Sequence, residues 1–253
     1  MSRPASIMSS DAIVLRSIDY GETSRIVTLF TQERGKMGAM AKGARASRSR
    51  FGSTLEPLAH INVVLYCKPG RELQLVSEAS HVYTHDVLRK SLERIEIGLR
   101  MLELTSSLLQ NDEAHPEVFS LLASSLSALE MAPARTGNIW PFYQIRLATH
   151  LGFGPSFDGD LVKSMTQDTG YLNLKTGEIA PESGAGFHPF SASRPALRAF
   201  AVLARAHLSD IVRMELSPGV AAEVNALMMA YLKFHVEEAY PHRSSKVFAQ
   251  LHV

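Results

Sequence analysis

The chain has 253 residues, 45% of them hydrophobic and 20% charged, with a formal net charge of +1. That composition excludes wholesale disorder and supplies ample material for a buried core, and no apolar run approaches the ~18 residues of a membrane span. A single cysteine, Cys67, excludes an internal disulfide and every zinc site built on two or more cysteines.

Residues 1–10 carry one arginine and no apolar stretch, so no secretory leader is expected and the expected compartment is a reducing cytosol. The net charge hides an asymmetry. Residues 1–80 hold 11 Lys/Arg against 7 Asp/Glu, whereas residues 81–253 hold 15 against 18. The segment 34–50 is sharper still, with Arg34, Lys36, Lys42, Arg45, Arg48 and Arg50 and no acidic residue. Such a block is either the footprint of a polyanion or a solvated loop whose charges aid solubility.

In chain order, the first third reads as β. Ile13-Val14-Leu15 is a short apolar run that ends in the turn-like Asp19-Tyr20-Gly21-Glu22. Arg25–Thr31 follows, with Ile26, Thr28 and Phe30 on one face and Val27 and Leu29 on the other. After the turn at Glu33-Arg34-Gly35, Met37, Ala39 and Ala41 alternate with Gly38, Met40 and Lys42. Asn62–Tyr66 is rich in β-branched and aromatic residues. Lys68-Pro69-Gly70-Arg71 is a hairpin signal, and Leu73 and Leu75 alternate with Gln74 and Val76. Five short strands at close spacing predict a small antiparallel barrel or sandwich over residues 1–80, because closing the sheet removes unpaired edges.

From residue 84 the period lengthens to about 3.6. Leu88, Leu92, Ile95, Leu99 and Leu102 predict one helical stripe, and Val118, Leu121, Leu122, Leu126 and Leu129 a second, opened by Pro116. A third helix runs from Ile139 to Leu151 and stops at Gly152. Residues 152–190 are rich in glycine and proline and read as a loop insert with a small hairpin at Gly170–Ile179. Helices resume with Leu197, Phe200, Ala204 and Leu208, and Ser217-Pro218 opens a last long helix. The expected architecture is α+β: a barrel at 1–80, then a helical domain at 81–253, the two packed together for want of a long linker.

No catalytic motif appears, and no metal or other cofactor is expected. The glycines at 152–154 and 184–186 complete no phosphate-binding loop. His81 and His85, four apart, lack a companion carboxylate motif and read as structural or surface residues. Cys67 reads as a buried inert thiol, and Trp140, before Pro141, as a packing contact at a helix start. What remains is a basic barrel. The candidate nucleic-acid-binding residues are Arg16, Arg25, Arg34, Lys36, Lys42, Arg45, Arg48, Arg50 and Arg71, whose charges can track phosphates, with Tyr20 and Phe51 as stacking rings. Phe30 and Tyr66, lying within strands, are expected in the core.

The blocks Ala12–Arg16, Asp19–Glu22, Ser24–Thr31, Gly35-Lys36, Ala41–Arg45 and Leu55-Glu56-Pro57, in this order, resemble the N-terminal domain of the bacterial DNA repair RecO family. Looser likeness continues at Arg146-Leu147-Ala148, Leu151-Gly152-Phe153, Tyr231–His235 and Ser244–Phe248. The resemblance implies an oligonucleotide/oligosaccharide-binding (OB) barrel followed by a helical domain. It implies a non-enzymatic mediator that binds single- and double-stranded DNA and anneals complementary strands. It further implies work with RecR, and in some pathways RecF, to load RecA onto strands coated by single-stranded DNA-binding protein, whose acidic tail it recognises. A cytoplasmic, nucleoid-associated location follows. Many family members carry a four-cysteine zinc module where this chain has its cysteine-free stretch 152–186, so zinc is not expected. Arg135, Arg146, Arg194 and Arg198 are available to rim a groove for the acidic tail. The rival readings are an OB module for RNA and a protein-interaction adaptor without annealing activity.

Overall fold

Alternating apolar residues build five strands: β1 (Ser6–Tyr20), β2 (Ser24–Thr31), β3 (Gly35–Ala41), β4 (His60–Cys67) and β5 (Leu73–Tyr83). A computed structural model, which describes residues 6–156, 162, 165–184 and 186–236, closes them into a barrel in the order β1-β2-β3-β5-β4. Neighbours are antiparallel except β3 and β5, which pair in parallel from Gly38 opposite Leu73 to Met40 opposite Leu75. This is the five-stranded arrangement expected of an OB barrel. Val14, Val27, Leu29, Met37, Ala39, Ile61, Val63, Leu65 and Val76 fill the interior, and Cys67 is buried with them.

β1 starts at Ser6, well before the apolar run that marks it in the sequence. Its early residues are polar, but they pair with β4 from Ser6 opposite Cys67 to Asp11 opposite Asn62. Ser9 Oγ donates to Asn62 Oδ1 at 3.3 Å, and Asn62 Nδ2 donates to Asp11 Oδ1 at 3.2 Å. A bulge between Val14 and Arg16 then shifts the register against β2.

One end of the barrel's outer surface is roofed by helices. Ile13, Phe30 and Lys36 are neighbours across β1, β2 and β3. Over them lie α1 (Leu92–Leu108) and α2 (Pro116–Met131). The Phe119 ring meets Phe30 edge-on at 5.6 Å, and Lys36 Nζ donates to the Ser106 carbonyl at 2.6 Å. Gly35, at φ +74°, turns the chain where β2 meets β3, and a Cβ there would lie 1.7 Å from the Glu113 carbonyl oxygen. Only glycine fits so close to the α1–α2 connection.

α2 buries the expected stripe, Val118, Leu121, Leu122, Leu126 and Leu129. α1 does not. It buries Ile97, Gly98, Met101, Leu102, Leu104 and Thr105, while Leu92 is exposed. The expected stripe assumed one helix continuous from residue 84. The chain instead makes a short 3₁₀ turn at Leu88–Lys90 and restarts at Ser91, whose side chain caps α1, so the helical phase is reset. Glu130 caps the 3₁₀ turn by accepting from the Val87 and Leu88 N–H groups at 3.0 and 2.7 Å. The compact unit that contains the barrel accordingly extends beyond residue 80, through both helices, to Glu130.

Among its described residues, the unit that begins at Met131 contains α3 (Ile139–His150), a sheet of order β7-β6-β8, and the helices that follow it. The strands are β6 (Thr169–Asn173), β7 (Ile179–Ala180) and β8 (Pro189–Ser193). β6 and β7 are the expected hairpin, and β8 adds a strand that the proline and serines at 189–193 do not announce. The helices are α4 (Arg194–Arg205), α5 (Leu208–Ile211) and α6 (Pro218–Val236). Tyr143, Phe200, Leu227, Met228 and Tyr231 are buried in this unit. The Tyr231 hydroxyl donates to the Phe153 carbonyl at 2.7 Å, and burial pushes its pKa up to about 12. The block Ser244–Phe248 lies outside the described residues.

Candidate nucleic-acid interface

The basic side chains of the barrel fall into two sets. The first is occupied by the protein itself. Arg25 lies between two carboxylates, with Nε 3.3 Å from Asp19 Oδ1 and Nη1 2.5 Å from Glu56 Oε1. Its hydrogen bond to Glu56 outweighs the opposing effect of burial and raises its pKa. Arg45 reaches the other oxygen of Asp19 at 3.2 Å and also donates to the Gly21 carbonyl. Arg34 pairs with Asp112 at 3.0 Å. Lys36 is half-buried against Ser106, and burial lowers its pKa. Arg25 and Arg45 tie β1, β2 and the β3–β4 connection together through Asp19 and Glu56, Arg34 ties the β2–β3 turn to the α1–α2 connection, and Lys36 ties β3 to the end of α1. Engaged by the protein's own groups, they are not the open cations that charge counting suggests.

The second set is open. Arg16, on the outer face of β1, Lys42 and Arg48 in the β3–β4 connection, and Arg71 in the β4–β5 turn are exposed, and their side chains make no hydrogen bond or ion pair among the described residues. Arg50 is exposed too. Its guanidinium sits 5.1 Å from the Phe51 ring centroid and borders an open groove of about 260 Å³ lined also by Asn62, Val64, Glu78 and Ser80. Lys68, beside Arg71 in the same turn, is a further exposed cation that the sequence reading passed over.

The aromatic candidates also divide. Tyr20 is 53% exposed at the end of β1, as a stacking ring must be. Phe51 is 2% exposed and packs in the barrel core, so it is no stacking platform. Phe30 is buried as expected, but Tyr66 is 46% exposed and not in the core. A signal for this was present. Ile61, Val63, Leu65 and Cys67 share the inward phase of β4, and Tyr66 is out of phase with them.

The residues read as structural behave so. His81 Nε2 lies 3.0 Å from Ser53 Oγ, and His85 is buried with Nδ1 3.2 Å from the Leu58 carbonyl. Trp140 is buried at the start of α3. Among the described residues no group of three His, Cys, Asp or Glu could hold a metal ion, and no helix is long and apolar enough to cross a membrane. In the second unit, Arg135 bonds Glu215 and the Arg213 carbonyl, and Arg194 bonds the Thr166 carbonyl and pairs with Asp168. Arg146 lies over Phe142 and reaches the Ala204 carbonyl, and Arg198 reaches that of Val162.

The family pattern described as recombination protein O N terminal matches residues 5–85, and that described as recombination protein O C terminal matches residues 89–245. A protein of Salinibacter ruber named DNA repair protein RecO is 48% identical over 246 residues, spanning 97% of this chain and 95% of its own. One of Chloroherpeton thalassium with the same name is 31% identical over 256 residues, spanning 97% and 99% of the two chains. A third, of Chlorobium limicola, is 28% identical over 257 residues.

Proposed function

The chain belongs to the recombination protein O family, and on that premise we propose that it acts in DNA repair and recombination as a non-catalytic mediator that binds single-stranded DNA on its barrel and anneals complementary strands. The observation that carries this reading is the open set of cations. Among the described residues, Arg16, Lys42, Arg48 and Arg71 are exposed without side-chain partners, and Arg50 meets the Phe51 ring. Exposed like charges repel one another and contribute little to stability. A polyanion relieves that repulsion by exchanging its condensed counterions for them.

Annealing follows from the same physics. Two strands repel through their phosphates, and cations on the barrel neutralise one strand as the second approaches. The Lys42–Arg50 connection is a run of turns, the Ala46 N–H donating to the Gly43 carbonyl and that of Ser49 to the Ala46 carbonyl, in which Lys42, Arg48 and Arg50 stay exposed. In the cell this activity would serve to load RecA onto strands coated by single-stranded DNA-binding protein, in company with RecR and in some pathways RecF. The acidic tail of the coating protein and double-stranded DNA are further partners in this proposal. The test is a two-strand annealing assay with and without single-stranded DNA-binding protein, run beside binding to DNA and RNA strands of one sequence. Annealing that persists on coated DNA supports the mediator. Binding to RNA in preference to DNA, or binding without annealing, would replace it with an RNA module or an adaptor.

A further inference from the structure

The strand register aligns an apolar row around the outside of the barrel. Ile18 lies opposite Ile26, Ile26 opposite Met40, Met40 opposite Leu75, Leu75 opposite Tyr66, and Tyr66 opposite Ile7. The row crosses every strand and returns to β1 nearer its start. Ile7 is 67% exposed, Tyr66 46% and Ile18 40%, and the other three are half-buried. Outward positions of a solvated antiparallel sheet are normally polar, and a contiguous apolar strip on such a face marks a binding surface.

The neighbouring outward row shows the chemistry of the occupant. It runs Arg16, Thr28, Gly38, Leu73 across β1, β2, β3 and β5. On the other side of the apolar strip stand Tyr20, at the end of β1, and Lys42, next after Ala41 of β3 in the outward phase of Met40. Arg71 sits just before Leu73 in the β4–β5 turn. An apolar track with free cations on both sides complements a chain whose bases are apolar-faced and whose linkages are anionic.

We propose that this row is a base-docking track for one single strand of DNA. The faces of successive bases lie on Ile18, Ile26, Met40, Leu75 and Tyr66, while Arg16 and Arg71 on one side and Lys42 on the other reach phosphates. This deepens the nucleic-acid reading above and rests on it. Face-on docking is tolerant of sequence, because every base has a π-face. It favours single strands over duplex, whose base faces are already stacked. It also leaves the hydrogen-bonding edges of the bases open to a second strand, as annealing requires.

The test separates track from charge. Binding of a short mixed-sequence single strand and its duplex to the full chain is measured by fluorescence anisotropy across a salt series. The variants are Tyr66→Ala, the double change Met40→Ser and Leu75→Ser, and Lys42→Ala with Arg71→Ala. Urea midpoints identify any variant that loses fold, and the exposed Tyr66 site keeps the test usable if the double change does. The expected result for the track variants is about tenfold weaker single-strand binding at every salt concentration, with the log–log salt slope and the duplex affinity unchanged. The charge variant should instead flatten the slope. Unchanged single-strand binding in Tyr66→Ala, or equal loss for single strand and duplex, overturns the track and leaves the nucleic-acid reading standing. So does a loss of self-association with DNA binding intact, which would assign the row to a second copy of the chain. Failure of the unaltered protein to bind either ligand overturns both.

Discussion

The arginines of the C-terminal unit and those on the outer barrel have the same chemistry and different fates. Arg135, Arg146, Arg194 and Arg198 each reach a backbone carbonyl, and two of them also pair with a carboxylate. Arg16, Arg48 and Arg71 reach nothing among the described residues. Within the barrel the same division separates Arg25, Arg34, Lys36 and Arg45 from their sequence neighbours Lys42, Arg48 and Arg50. A count of charges therefore marks a region, and only the partners of each charge tell which members are available to a ligand.

That contrast can be broken most severely at Phe51. If its ring is part of the core, Phe51→Ala should cost about 3–5 kcal/mol in a urea titration, whereas Tyr20→Ala should change stability by less than about 0.5 kcal/mol and weaken single-strand binding several-fold. Equal stability losses would erase the distinction between buried and available rings. Next, Gly35→Ala should cost on the order of 3 kcal/mol, since it adds a close contact with the Glu113 carbonyl to an unfavourable positive φ. A neutral outcome would mean that the β2–β3 turn is not held against the helices. Arg34→Ala, which removes an ion pair open to solvent on both sides, should cost less than about 1 kcal/mol and leave the salt slope of DNA binding unchanged.

Acidity sharpens the comparison in the unit ending at Glu130. Burial lowers the pKa of His85 and of His60, outweighing the opposing pull of Glu130 on the first and Asp11 on the second. Below the usual histidine range the unfolded chain takes up protons that the folded barrel unit refuses. Stability is therefore full above about pH 6.5 and falls as pH drops through the window between the unfolded and folded values. Urea midpoints measured from pH 7.5 to 5.5 should decline, and His85→Gln should lessen the decline. A flat profile would show that neither ring is held neutral by burial.

Much of this architecture was legible in the residues. Period-two alternation placed β2, β3 and the inner face of β4, because Val27, Leu29, Met37, Ala39, Ile61 and Val63 line one closed interior. The early half of β1 was not legible, since Ser6–Asp11 is polar and its strand character comes from pairing with a distant β4. The face of α1 was misjudged because the helix is apolar on two sides and a 3₁₀ turn sets its phase. At the candidate site the cationic segment was visible, but its division into tied and open members was not. Asp19, Glu56, Asp112 and Ser106 meet Arg25, Arg45, Arg34 and Lys36 only after folding. Tyr66 was misplaced by residue type where strand phase would have put it outside.

The central claim is that the open cations, and not the tied ones, hold the strand. The most direct measurement is the salt dependence of single-stranded DNA binding for the unaltered protein and for the triple variant Lys42→Ala, Arg48→Ala and Arg50→Ala. With about four to five phosphates neutralised, the log–log slope should be roughly −3, and the triple variant should flatten it by about 2 with its urea midpoint unmoved. A slope near zero in the unaltered protein, or an unaltered slope in the variant, would contradict the account.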